Sequence, residues 1–214
     1  MNELDPLGPN PSLAAAYARR GDERRAEAEF QRALRVAPRS TRVLRLAGRH
    51  YCESGDHERG LALLERANEL ERGDSVILSV LGWCRAVSGE SEGARRVLEE
   101  LESLAGSTYV DPVGVARIHV ALGEREAALA ELERAIEVRA FYLPFVPRDP
   151  RFAALRDDPR FADLMSRAKL PFGTVSEDPA WRSRRSSSQL AAGTYSSSTE
   201  KLGGSPKSIL PTSS

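Results

Sequence analysis

The sequence predicts an all-α fold: an α-solenoid of four helical hairpins, closed by short helices and followed by a tail. Three observations predict it. Gly21, Gly55, Gly89 and Gly123 recur at intervals of 34 residues, each followed by an acidic residue, Asp22, Asp56, Glu90 or Glu124. A helix–turn–helix unit of that length cannot bury its apolar face alone and stacks on copies of itself. Small and large apolar side chains keep one register within the units, and Asp-Pro pairs mark helix starts after the last of them.

With Leu7 as position one, the units are 7–40, 41–74, 75–108 and 109–142. The first holds Leu13, Tyr17, Gly21, Ala26, Phe30, Ala33 and Pro38; the second keeps Leu44, Gly48, Tyr51, Gly55, Leu64 and Ala67. The third keeps Leu78, Leu81-Gly82, Gly89, Ala94 and Leu98, and the fourth Gly123, Ala128, Leu132 and Ala135. Small residues at positions 8, 20 and 27 let paired helices approach closely, and larger ones at 7, 11 and 24 fill the space between them. Glycine at position 15 ends the first helix of a unit, and the acidic residue after it caps the second. Asp74 precedes an apolar-periodic run, and Asp111-Pro112 sets an N-cap before a proline at the first helical position.

Beyond the fourth unit, Asp149-Pro150-Arg151-Phe152 recurs as Asp158-Pro159-Arg160-Phe161. Each Asp-Pro starts a short helix, so the stretch 143–171 is expected to cover the last unit's open apolar face with Phe152, Leu155, Phe161, Leu164 and Met165. From Val175 the composition turns to Ser, Thr and Gly, and the tail 172–214 is predicted to be disordered because it has too little apolar surface to offset the entropy of ordering. Within it, Arg184-Arg185-Ser186-Ser187 reads either as a solvated serine linker or as a basic-directed phosphorylation site.

The pattern resembles the tetratricopeptide repeat (TPR), which pairs a Leu-Gly and a Tyr in its first helix with an Ala, a Phe and a closing Pro in its second. It departs from that repeat at Gly60, which stands for a small alanine, and at Arg72, Gly106 and Ala140, which stand for the closing proline. Arg85 and His119 occupy tyrosine positions. The stretch 109–171 is similar to the closing segment of bacterial TPR regions attached to serine/threonine kinase, nucleotide-cyclase or winged-helix regulator modules. The resemblance implies a right-handed solenoid whose first helices line a concave groove, with positions 2, 5, 9, 12 and 13 facing a ligand. Carried onto this chain, those positions give Arg19; Arg42, Arg45 and Arg49; Val76, Ser79 and Trp83; and Val113, Arg117 and Val120. Glu3-Leu4-Asp5-Pro6, within residues 1–6, resembles the close of a preceding repeat, which reads either as a leftover connector at a natural start or as the edge of a larger protein.

Composition narrows the function. The 214 residues are 41% hydrophobic and 29% charged with a formal net charge of zero, so the global attraction of a dedicated nucleic-acid binder is missing. No run of about 18 apolar residues spans a bilayer and the N-terminus does not read as a signal peptide, so a cytoplasmic protein without a membrane partner is expected. Cys52 and Cys84 lack metal spacing and lie in different units, which suits separate buried fillers in a reducing compartment. His50, His57 and His119 lack the pairing of a helical zinc site, and neither a phosphate-cradling glycine loop nor a Gly-x-Ser-x-Gly elbow occurs. Acidic residues alternate with arginine, as in Glu131, Arg134 and Glu137, in the manner of a solvated helix face. No enzymatic activity, cofactor or metal is expected.

The sequence therefore points to a non-enzymatic adaptor that takes a protein or peptide in its groove. The alternative is the regulatory C-terminal part of a larger signalling enzyme or transcriptional regulator. Arg42, Arg45 and Arg49, spaced by three and four, share one helix face and suit an acidic partner; a solvated face is the competing reading. Trp83 is either a rigid ligand anchor or an inter-repeat filler. The relatives that clamp acidic chaperone tails use lysine and asparagine at set first-helix positions, and the repeats here hold no lysine. Self-association through an imperfectly covered end of the stack is a further expectation.

Overall fold

The computed structural model describes residues 10–168. The expected connector at 1–6, the end of the capping stretch at 169–171, and the tail with its serine motif lie outside the described residues. Among those described, the chain is helical without a strand: α1 Pro11–Arg19, α2 Glu23–Val36, α3 Thr41–Ser54, α4 His57–Leu70, α5 Ser75–Val87, α6 Ser91–Ala105, α7 Pro112–Ala121, α8 Arg125–Glu137, two 3₁₀ helices at Leu143–Arg148 and Pro150–Leu155, and α9 Pro159–Arg167.

Local chemistry sets these boundaries. The side chains of Asn10, Ser40, Asp74, Asp111, Asp149 and Asp158 accept hydrogen bonds from backbone N–H groups of the turns they precede, satisfying donors that a helix start leaves open. Asp22 and Asp56 do the same for α2 and α4. Glu90 and Glu124 stand at the matching places of α6 and α8 but make no cap hydrogen bond, contrary to the expectation that each acidic residue caps. Their longer side chains turn aside: Glu90 lies 3.9 Å from Arg85, and Glu124 binds His119 at 2.8 Å and Arg95 at 3.1 Å. Gly55 closes α3 in the left-handed conformation, φ 90°, where a side chain would be strained.

Helices pack in a helical-repeat-like order. α1 lies on α2, α3 on α4, α5 on α6 and α7 on α8, while α1, α3, α5 and α7 also touch in series. Beyond them the 3₁₀ helix Pro150–Leu155 packs on α7, and α9 on α8. Asp158, the cap of α9, follows Glu124 at the same interval that separates Asp22, Asp56, Glu90 and Glu124. The segment after α8 thus continues the spacing of the units, with 3₁₀ turns where a first helix would come.

The interior follows the predicted register. Ala26, Phe30 and Ala33 are fully buried on one face of α2; Leu44, Leu64, Leu78, Leu132 and Ala135 are fully buried further along. Burying a leucine or phenylalanine of this kind stabilises by about 1.5–3 kcal/mol. Phe152, Leu155, Phe161 and Leu164 join one cluster with Val113, Ala116, Leu129 and Leu132, so the Asp-Pro-Arg-Phe segments do cover the apolar faces of α7 and α8.

The cysteines overturn the expectation of separate fillers. Cys52 of α3 and Cys84 of α5 are joined by a disulfide with Cα atoms 5.8 Å apart, buried within the central cluster. Position 12 of one first helix and position 10 of the next face each other, so residues 32 apart in sequence meet. Gly60 on α4 lies directly against the Cys52 sulfur and 2.9 Å, measured from an ideal Cβ, from the Gly48 carbonyl. That contact accounts for glycine where the other units have alanine: the sulfur fills the space of a methyl group.

Candidate functional site

The first helices deliver arginines to a common surface. Arg19 ends α1; Arg42 and Arg45 project from α3. Arg19 and Arg42 are exposed and Arg45 is half-buried. Arg42 donates to the Ser12 hydroxyl at 2.8 Å, tying α3 to α1. Among the described residues no carboxylate forms an ion pair with Arg19, Arg42 or Arg45. Burial holds the Arg45 guanidinium below its usual range, Arg42 adds to this, and Tyr142 and Asp74 oppose it. Burial likewise lowers Arg49, whose Nε lies 3.7 Å from Glu53, and the charges of Arg151, Arg45 and Arg19 lower it further. Arg19, Arg42 and Arg45 are thus left without an ion pair among the described residues, whereas Arg49 and Arg151 of the 3₁₀ segment share Glu53.

Further along, the segment after α8 folds back onto α7. Arg117 of α7 donates from Nε to Asp149 Oδ2 at 3.0 Å. Arg151 holds the same carboxylate with two hydrogen bonds of 2.8 Å, and its guanidinium lies 5.6 Å from the Trp83 ring centroid and 3.6 Å from Glu53. Burial pushes the Asp149 carboxyl up, but its hydrogen bonds and the charges of Arg151 and Arg117 outweigh that and hold it below the usual range. The Asp149-Pro150-Arg151 segment thus links α3, α5 and α7 as an internal occupant with a carboxylate at its centre.

This placement sorts the expected site residues. Arg19, Arg42, Arg45 and Val76 lie at the surface, and Arg49 is partly covered. Ser79 donates to the Ser75 carbonyl at 2.6 Å and abuts Gly114. Trp83 is 6% exposed and packs in the central core, with the Arg151 guanidinium over its ring. Val113 is fully buried and Val120 packs against the last cluster, both turned to the interior. Both stand at positions expected to face a ligand, but the 3₁₀ helix Pro150–Leu155 packs on α7. Arg117 is committed to Asp149.

The chain matches no protein-family model and no curated protein. Among the described residues no helix is long and apolar enough to cross a membrane.

Sequence reasoning missed an aromatic shelf. Phe141, Tyr142 and Phe145 are all exposed, Phe141 by 74%; Phe141 meets Tyr142 edge-on with centroids 5.2 Å apart, and Tyr142 lies tilted to Phe145 at 6.4 Å. The Arg117 guanidinium lies 5.7 Å from the Tyr142 ring centroid. The signal was available as Phe-Tyr-Leu-Pro-Phe, an apolar run at a chain turn that the repeat register did not use.

Proposed function

We propose that this chain is a TPR-type α-solenoid acting as a non-enzymatic adaptor, which receives a peptide or a protein surface along its first helices. The observation that carries this reading is that Arg42, Arg45 and Arg49 share one face of α3, and that Arg42 and Arg45, with Arg19 of α1, form no ion pair among the described residues. Like charges held together raise the energy of the empty protein, and a ligand carrying carboxylates relieves that repulsion. Contacts between positions one unit apart support the stacking: Ser75 donates to the Tyr109 carbonyl, Arg160 to Glu126 and Arg167 to Glu133, each pair separated by 34 residues.

A photo-crosslinking side chain placed at Val76, on the groove side of α5, is expected to trap a polypeptide from a cell lysate. The same group at Glu99, on the second helix α6, is expected not to. Identical products from both positions, or none from Val76, would remove the adaptor reading.

A further inference from the structure

We propose that the Cys52–Cys84 bond is a redox latch for the segment after α8: with the bond made, α3 and α5 stand at the spacing that Arg151 spans, and reduction to two thiols unseats Arg151.

Two ties between α3 and α5 meet at one level. The first is covalent, Cys52 to Cys84, with Cα atoms 5.8 Å apart. The second is Arg151, whose guanidinium lies 3.6 Å from Glu53 of α3 and 5.6 Å from the Trp83 ring centroid of α5. Glu53 follows Cys52 and Trp83 precedes Cys84, so on each helix the two ties are one residue apart, a rise of about 1.5 Å. Arg151 in turn holds Asp149 with two hydrogen bonds of 2.8 Å, and Asp149 accepts another from Arg117 of α7. A change in the spacing of α3 and α5 therefore reaches the 3₁₀ helix Pro150–Leu155 through the Arg151 side chain.

Packing directs the change to that spacing. Unbonded sulfurs need van der Waals separation where a covalent bond held them closer. Cys52 cannot draw back toward α4, because its sulfur rests against Gly60, and Cys84 is fully buried in the central cluster. A close-packed interior leaves neither side chain room to turn away, so α3 and α5 move apart and Arg151 loses its hold on Glu53 or on Trp83.

The reductant is an external dithiol. Its thiolate attacks one sulfur to give a mixed disulfide, and its second thiol completes the exchange. The dithiol ends as a disulfide, having lost two electrons, and Cys52 and Cys84 gain those electrons with two protons as thiols. Both cysteines are buried, so attack follows local opening of the helix pair, and the latch answers a sustained change in redox poise.

The test is hydrogen–deuterium exchange on the full chain, oxidised and then reduced with dithiothreitol, read at the Arg151 and Phe152 amides, which donate to the Asp149 side chain and carbonyl. Reduction is expected to speed their exchange about tenfold, as for coupled neighbouring contacts. The amides of α9, fastened to α8 by Arg160 on Glu126 and Arg167 on Glu133, are expected to keep their rates. Linkage makes the effect reciprocal: Arg151→Ala, already unseated, is expected to exchange fast in both states and to be reduced at a roughly tenfold lower ratio of reduced to oxidised dithiothreitol than the parent. Unchanged rates at the two amides on reduction, an equal acceleration in α9, free thiols in the untreated protein, or one midpoint for parent and Arg151→Ala overturns the proposal. The comparison of the oxidised and reduced parent needs no substitution, so it decides the matter even where the variant fails to fold.

Discussion

Asp149 and Arg117, 32 residues apart, share a hydrogen bond of 3.0 Å in which the Asp149 side chain is 5% exposed and the Arg117 side chain 14%. The pair fastens the segment after α8 to the last of the serially packed first helices. Asp149 also caps the 3₁₀ helix Pro150–Leu155 through the Arg151 N–H and holds the Arg151 side chain over Trp83.

Removing that carboxylate leaves two guanidiniums facing each other in a partly dry site. Asp149→Ala is expected to destabilise the chain by about 3 kcal/mol, combining a stranded charge with a lost cap. Asp149→Asn keeps a cap acceptor and should cost less. Urea unfolding monitored by circular dichroism ranks the two, and equal stability of both variants and the parent would show that the fold-back contributes nothing.

Gly60→Ala tests the close approach of α3 and α4. The added methyl meets the Cys52 sulfur and the Gly48 carbonyl, neither of which has a flexible end to yield. Overpacking of this kind costs about 1–3 kcal/mol, although alanine is the better helix former by about 1 kcal/mol. A lower melting temperature is expected, and a higher one would show that the helices separate without penalty.

The disulfide is a second test of the same interface. Mass spectrometry after alkylation without reductant is expected to find Cys52 and Cys84 unmodified and linked. The bond closes a loop of about 33 residues, so cleaving it loosens the unfolded chain and lowers stability by about 3–4 kcal/mol in the chain-entropy account. Denaturant midpoints with and without reductant measure this. Full alkylation of the native protein would contradict the bond.

Much of the helix pattern was legible because it is local and periodic. Asp22, Asp56, Asp74 and Asp111 cap where they were expected to, and Phe30, Leu44 and Leu64 are buried in their predicted register. What escaped is set by contacts between units. Glu90 and Glu124 share position 16 with Asp22 and Asp56, but one more methylene lets each reach a cation instead of its own helix start. Cys52 and Cys84 occupy different positions in their units, so no spacing rule announces that α3 and α5 bring them together. The expected site residues divide for the same reason: Arg19 and Arg42 are exposed, while Trp83, Val113 and Arg117 meet a segment whose path no repeat register encodes.

The acid response has a definite sign. Asp149 is held below the usual carboxylate range by Arg151 and Arg117 against the effect of burial, and the hydrogen bond from Arg160 is the chief reason Asp158 is lowered to about 2. In the unfolded chain both return to about 3.9, so between those values the unfolded state binds more protons than the native one. Their stabilisation is present above about pH 4 and is lost as pH falls through their lowered native values, about 2 for Asp158. Burial pushes Asp111 and Glu131 the other way, so those two favour the native state as acid is added and partly offset the loss. The melting temperature is therefore expected to fall below about pH 4. Asp149→Asn with Asp158→Asn keeps side-chain cap acceptors at both helix starts while deleting the titrating charges, so that variant is expected to be less stable at neutral pH and to lose less on acidification. Parallel pH profiles for parent and variant would show that other carboxylates carry the acid sensitivity.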